Sequence, residues 1–325
     1  MDEEIRWLPH PISLNSFGEI FVTEYRRRRY LERLTDSELD ARMADIVSNL
    51  LALGDDGKYR PRFNVRDGVY KPIRNLDFLR MATDAWEEAR LRHTEVREPL
   101  SAAHLQIAKR LSDESWCRRP DWISDSRLSL DKYERPRMLF KFGEAKWNRE
   151  LVRRGSIHIS PASSYDDDVK INAIRDNELR LEWYDASLAL RALEAPDYLC
   201  FCLSSEYDYR LFVDFKYDSC VAIKDPAVFS ERLRHAIASH NAVHRGSRVA
   251  RLTECPVIYV DPFALLQPEE AIEVQFCKHF RFAYQTEFRF ALAAAGQRRL
   301  EPIDLNLGPM HDIAEIVIDP RSTAS

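Results

Sequence analysis

The chain has 325 residues, 45% of them apolar and 31% charged, and a net charge of −5. Its length points to two domains rather than one, and its apolar content supports a sizeable core. The acidic balance excludes a global positive field for nucleic acid, and only 9 glycines, none in a GxGxxG or GxxxxGK[ST] array, exclude a glycine-rich phosphate loop. The 6 cysteines are scattered without a CxxC pair, so reduced thiols are expected rather than zinc or disulfides. The acidic start MDEEIRWLPHP has no apolar core of a signal peptide, and no apolar run reaches the length of a membrane span. The expected location is the cytoplasm, with no membrane partner.

Taken in chain order, Arg26 to Arg29 form a basic run. Four adjacent positions wrap around a helix, which favours a solvated surface paired with nearby acids over a phosphate-binding stripe. Thr35-Asp36-Ser37-Glu38 has capping-box spacing and precedes apolar residues at helical period, Leu39, Met43, Ile46, Val47, Leu50 and Leu51, with Gly54 as the stop. Further helices are predicted over 76–94 and 99–112, so residues 1–130 read as a mostly helical region, with a proline- and arginine-rich connection at 116–136. From 131 to 325 the texture changes to short runs rich in Val, Ile, Phe and Tyr. Strands are predicted near 137–142, 156–160, 198–204, 210–214, 219–224, 256–260, 273–277, 286–293 and 314–318, and helices near 144–154, 175–194, 226–240 and 267–271. The fold class is α+β, a helical region followed by a strand-dominated one.

Three stretches carry chemistry. Leu139-Phe140-Lys141-Phe142-Gly143 reads as a strand bearing a cation, followed by a helix and then by Ser156-Ile157-His158-Ile159-Ser160, which runs into the serine-rich Pro161-Ala162-Ser163-Ser164-Tyr165. Period-two alternation puts His158 and Ser160 on one face and Ile157 and Ile159 on the other. In Phe282–Phe290, Gln285, Glu287 and Arg289 share one face. On pattern alone this suits an edge strand with a solvated Glu/Arg face. Asp166-Asp167-Asp168 has the oxygen donors Mg²⁺ takes, but a run of aspartates suits a solvated turn better. His240 and His244 have i,i+4 spacing without the glutamate of HExxH, so no metal site is expected. Cys200 and Cys202 alternate on a strand and face one side, as core residues do.

The ordered combination of Lys141, His158-Ile159-Ser160 and Gln285-Thr286-Glu287 resembles the ADP-ribosyltransferase superfamily, in its Gln-x-Glu branch, and the texture is similar to bacterial toxin and phage-defence members. The resemblance spans about 150 residues. It implies a split antiparallel β-sheet around a cleft for NAD, with NAD consumed as substrate. It further implies that Glu287 stabilises the oxocarbenium-like transition state and that Gln285 orients the acceptor. Lys141 would contact the pyrophosphate or the adjacent ribose, with Phe142 beside it. Ser160, with His158 nearby, would brace the nicotinamide end, Ser163 is a further NAD-binding candidate, and Tyr165, or another aromatic in the loop after the second strand, would stack on nicotinamide. The implied acceptor is RNA or DNA, otherwise protein, and a toxin of this kind implies an inhibitory antitoxin partner. The arginines at 26–29, 118–119, 153–154 and 297–299 are candidates for a nucleic-acid groove. Two other classes compete, a metal-dependent nuclease or phosphodiesterase built on Asp166–Asp168 and a non-catalytic partner-binding module.

Overall fold

The computed structural model describes residues 17–53, 59–61, 65–66, 69–70, 74–94, 136–166, 177–185, 187–243, 249–263, 273–294 and 300–318. The chain divides into two compact units, Met1–Lys109 and Arg110–Ser325. The expected boundary near residue 130, the helices at 99–112 and 267–271, Gly54, and the connection at 116–135 lie outside the described residues.

The first unit holds α1 (Phe17–Arg28), α2 (Asp36–Leu50) and α3 (Arg74–Leu91), with the short pairs β1 (Leu51–Leu53) with β2 (Tyr59–Pro61) and β3 (Val65–Arg66) with β4 (Val69–Tyr70). The capping box forms in both directions. Thr35 N–H donates to Glu38 Oε2 at 2.7 Å and Glu38 N–H donates to Thr35 Oγ1 at 3.3 Å. These bonds satisfy donors that a helix start leaves without partners. Leu39, Met43, Ile46, Val47 and Leu50 are buried as the helical period requires, but Leu51 already belongs to β1. Acids of α3 anchor the unit: Glu88 is fully buried and accepts from Tyr25 Oη, from Arg29 Nε at 3.1 Å and from Arg92 Nε at 2.7 Å. A buried carboxylate persists only when paired in this way.

The second unit is built on β5 (Leu139–Gly143), α4 (Ala145–Arg154), β6 (Ser156–Pro161), β7 (Arg180–Tyr184), β8 (Leu190–Glu194), β9 (Leu199–Ser204), α5 (Tyr209–Asp214), β10 (Ser219–Ile223), α6 (Pro226–Val243), β11 (Val249–Pro256), β12 (Ile258–Val260), β13 (Cys277–His279), β14 (Glu287–Ala294), β15 (Ile303–Asn306) and β16 (Ala314–Ile318). The main sheet runs β11-β14-β9-β5-β10-β16, with β15 paired to β6 and β6 to β9. Every pair in it is antiparallel. One face carries Leu139, Phe201, Leu203, Val221, Ile223, Phe288, Phe290 and Leu292, which pack with Leu151 and Val152 of α4 and with Phe229, Leu233 and Ile237 of α6. Each large side chain buried there contributes about 1.5–3 kcal/mol.

Several expected elements change type. Residues 180–194, predicted as part of a helix, form the hairpin β7–β8. Residues 210–214, predicted as a strand, lie in α5, which Asp208 caps by accepting Arg210 N–H at 2.9 Å. Residues 274–276 form a 3₁₀ turn before β13, and 280–285 form another before β14. Strands β11 and β15 were absent from the sequence expectation.

The sheet is split beside β9. Strand β5 pairs with it only through Phe140↔Ser204, and β6 only through Ser160↔Cys200 and Pro161↔Leu199. Between these ends, Phe201 to Leu203 face a gap. Helix α4 connects β5 to β6. Its first N–H, on Ala145, is capped from a distance by Asp218 Oδ1 at 2.6 Å. Its end is Gly155 at φ 74°, whose N–H donates to Leu151 O at 2.8 Å. A Cβ on Gly155 would meet the backbone oxygen of Gly308 at 2.1 Å, whereas one on Gly308, itself at φ 74°, would meet nothing within 4 Å. Gly308→Ala is therefore expected to cost only the left-handed conformation, about 1–2 kcal/mol. Gly155→Ala should cost clearly more, because backbone has to move. Thermal melts of the two variants check this, and equal losses would contradict the close approach.

Candidate functional site

The gap opens into a cavity of about 150 Å³ whose wall includes Lys141, Phe142, His158, Tyr165, Glu178, Lys278, Gln285 and Glu287. A cavity of roughly this volume accepts one benzene-sized ring. The space fits a single ring of a ligand rather than a whole dinucleotide.

Glu287 opens β14, and β14 lies between β11 and β9. Glu287 is 5% exposed and Arg289 0%. The solvated edge-strand reading of this segment is therefore wrong: the strand is interior and its charged face is buried. Alternation does place Glu287 and Arg289 together, but Gln285 belongs to the preceding 3₁₀ turn and reaches the cavity by a different route. The turn ends at Thr286, a β-branched residue at φ 43°, ψ 48°, a left-handed conformation that costs energy unless its surroundings hold it. Here Ser204 Oγ lies 3.0 Å from Thr286 Oγ1 and donates to Gln285 O at 2.8 Å, while Ser205 N–H and Oγ donate to Thr286 O at 2.8 and 2.9 Å. Glu287 N–H donates to Tyr259 Oη at 2.8 Å. The end of β9 and a tyrosine of β12 thus set where the carboxylate emerges.

The Glu287 side chain closes a ring of four buried charges. Arg289 Nε donates to Glu287 Oε1 at 2.7 Å, and Arg289 Nη2 lies 2.7 Å from Glu178 Oε2. Lys278 Nζ donates to Glu178 Oε1 and to Glu287 Oε2, both at 3.2 Å. Arg289 Nη1 is held by Tyr198 Oη at 3.0 Å and Gln275 O at 2.8 Å. Burial by itself raises the Glu287 pKa. The Arg289 and Lys278 charges outweigh it, and together with bonds from Arg289 and Cys202 they hold the carboxyl well below the usual carboxylate range. Glu287 is thus an ionised carboxylate in a water-poor wall. Sequence reading did not find Glu178 or Lys278: the first lay in the expected helix, and the second sits between Cys277 and His279 with no local signal of its partners.

Lys141 faces the opposite condition. By alternation it lies on the side of Leu139, and its Nζ is 5.7 Å from the Phe201 ring centre and donates to Phe142 O at 3.3 Å. Among the described residues no carboxylate pairs with it. Burial pushes its pKa down, opposed in part by Cys202 and Cys220. An anionic group brought beside it would favour its charged form. Burial likewise raises the pKa of Tyr165, which packs beside Cys200 and Cys202. The two thiols do face one side, 3.2 Å apart, and the described cysteines are free.

The remaining expected residues are less central. His158 is on the outward face of β6, and its Nδ1 pairs with Asp304 Oδ1 at 2.8 Å. Ser160 shares that outward face but is not part of the cavity wall. Ser163 is exposed, its N–H and Oγ donating to Asp197 at 3.0 and 2.7 Å. Asp167 and Asp168 lie outside the described residues, and among the described residues no group of three or more His, Cys, Asp or Glu side chains is placed to hold a metal. Of the candidate groove arginines, Arg26 and Arg29 are engaged by Glu87 and Glu88, and Arg153 and Arg154 share Glu150. Those at 118–119 and 297–299 lie outside the described residues. Among the described residues no helix is long and apolar enough to cross a membrane. No family model matches the chain, and comparison with curated proteins and with solved structures finds no match.

Proposed function

We propose that the chain is an NAD-dependent ADP-ribosyltransferase, a bacterial toxin or phage-defence effector that modifies RNA or DNA, or otherwise protein. The reading is supported by one observation above the rest: Lys141 and Glu287, 146 positions apart in the chain, both line a single ring-sized cavity at the split of the sheet, whose wall also includes Phe142, Tyr165 and Gln285.

The chemistry follows from that placement. The bond between C1′ of the ribose and the nicotinamide nitrogen breaks heterolytically, and its electron pair leaves with nicotinamide. Positive charge develops on the sugar, as in glycoside cleavage. The Glu287 carboxylate, fixed and ionised, favours that charge more than it favours the ground state. The nicotinamide ring occupies the cavity against Tyr165, while the Lys141 ammonium meets the negative pyrophosphate. The acceptor then attacks C1′ and loses a proton, with Gln285 orienting it.

Incubation with NAD labelled in the adenylate half, together with total cellular RNA, DNA and protein, tests the reading. Label is expected in one polymer class with release of nicotinamide. Polymer cleavage that needs Mg²⁺ and no NAD would instead support a nuclease, and no change in any substrate would support a binding module. Lys141→Met is expected to raise the KM for NAD about tenfold or more through loss of a charge-assisted contact, with a smaller effect on kcat. An unchanged KM would remove the pyrophosphate assignment.

A further inference from the structure

We infer that Lys278 is a positioning residue for Glu287. It fixes one carboxylate oxygen and keeps the carboxylate charged, so that Glu287 presents itself to the cavity ready ionised. The inference rests on the reading that Glu287 acts on NAD.

The geometry singles out Lys278. It is 6% exposed, on β13, and its Nζ lies 3.2 Å from both Glu178 Oε1 and Glu287 Oε2. It also lies 4.8 Å from the Phe282 ring centre. Arg289 holds the other oxygen of each carboxylate at 2.7 Å. The two cations therefore divide the work. Arg289 is fully buried, bound to Tyr198 and to the backbone of Gln275, and ties the ring to the fold. Lys278 lies in the cavity wall with Glu178 and Glu287. A lysine has three donors on a flexible stem, so it tolerates a shared oxygen as a ligand hydroxyl approaches. With two carboxylates and two cations the ring is neutral as a set. Removing Lys278 leaves two carboxylates against one guanidinium, and that surplus negative charge favours protonation of a carboxyl. The other groups around Glu287 are Arg289 on its own strand, Cys202 on β9, Tyr165, and Tyr259 at its backbone N–H. Among the described residues around it, Lys278 and Arg289 are the two that bring positive charge to its carboxylate.

The test compares Lys278→Met, Lys278→Arg and Glu178→Gln with the parent in the full chain. Nicotinamide release from NAD is followed against pH, and the Glu287 carboxyl is followed by NMR of protein labelled at Glu Cδ with ¹³C. The Glu287 resonance is assigned by its disappearance in Glu287→Gln. Lys278→Met should move the acid limb of activity upward by at least about one pH unit, with the Glu287 carboxyl titrating in step. Lys278→Arg should restore the parent profile. Glu178→Gln removes a neighbouring negative charge, so it should leave Glu287 ionised wherever the parent is. A purely structural lysine predicts lower activity without a displaced limb, and an unmoved Glu287 titration in Lys278→Met overturns the inference. If the parent releases no nicotinamide, the NAD reading fails, while the NMR titration still decides whether Lys278 controls the carboxyl. If Lys278→Met does not fold, Lys278→Gln takes its place in both measurements.

Discussion

Glu287→Gln should reduce nicotinamide release from NAD by roughly 10²–10³-fold, the loss that follows removal of one preorganised group facing developing charge. Gln keeps the shape of the side chain but carries no charge to stabilise the sugar cation, and its amide nitrogen cannot accept from Arg289 or Lys278 as a carboxylate oxygen does. The substitution also unbalances the ring, because Lys278 and Arg289 are left with Glu178 alone. A lower melting temperature is therefore expected beside the kinetic loss, and rates have to be compared where the variant is fully folded. The two effects separate by pH. The folded pKa of Glu287 is depressed, so its contribution to stability is complete above the unfolded value near 4.3 and is lost as pH falls through the lower folded one. Denaturant midpoints measured between about pH 3 and 5 should thus depend less steeply on pH in Glu287→Gln than in the parent. Retained turnover in a folded variant would remove Glu287 from the chemistry, whatever the midpoints show.

Parts of this site were legible because local rules write them into the sequence. Alternation alone put Ile157 and Ile159 toward the core with His158 outward, and it put Glu287 beside Arg289. The capping box announced α2 by its own spacing. The failures have equally specific causes. Strand β8 is exposed at every residue, so no period-two signal exists there, and its Leu, Arg, Ala and Glu are strong helix formers. The hairpin turn is set by Asp185, whose Oδ1 accepts from Ser187 N–H at 2.8 Å and Ala189 N–H at 3.1 Å, a short-range device hidden within an apparent helix. Alternation over Phe282–Phe290 reads as one continuous strand, yet 280–285 form a 3₁₀ turn and Thr286 at positive φ turns the chain before β14 begins. The ring itself was beyond sequence reading. Lys278 finds Glu178 across 100 positions, and only the assembled sheet brings them together.

The burial of that ring sets the largest stability effect expected here. Arg289 is 0% exposed and pairs with two carboxylates that have almost no access to water. Arg289→Met should destabilise the second unit by about 3–5 kcal/mol, since it strands charge in a low-dielectric interior rather than merely removing an attraction. For a unit of this size that corresponds to a fall of roughly 6–20 °C in melting temperature. The same argument predicts that a second substitution helps. Glu178→Gln in the Arg289→Met background leaves one lysine and one carboxylate, Lys278 and Glu287, and should recover more than half of the loss. In the parent background Glu178→Gln should itself destabilise, because it leaves Arg289 and Lys278 in excess. A double-mutant cycle followed by denaturant unfolding measures the coupling, expected at about 2–3 kcal/mol. Additive losses would mean that Arg289 acts through packing and its bonds to Tyr198 and Gln275, and that charge balance is not what holds the Glu287 wall together.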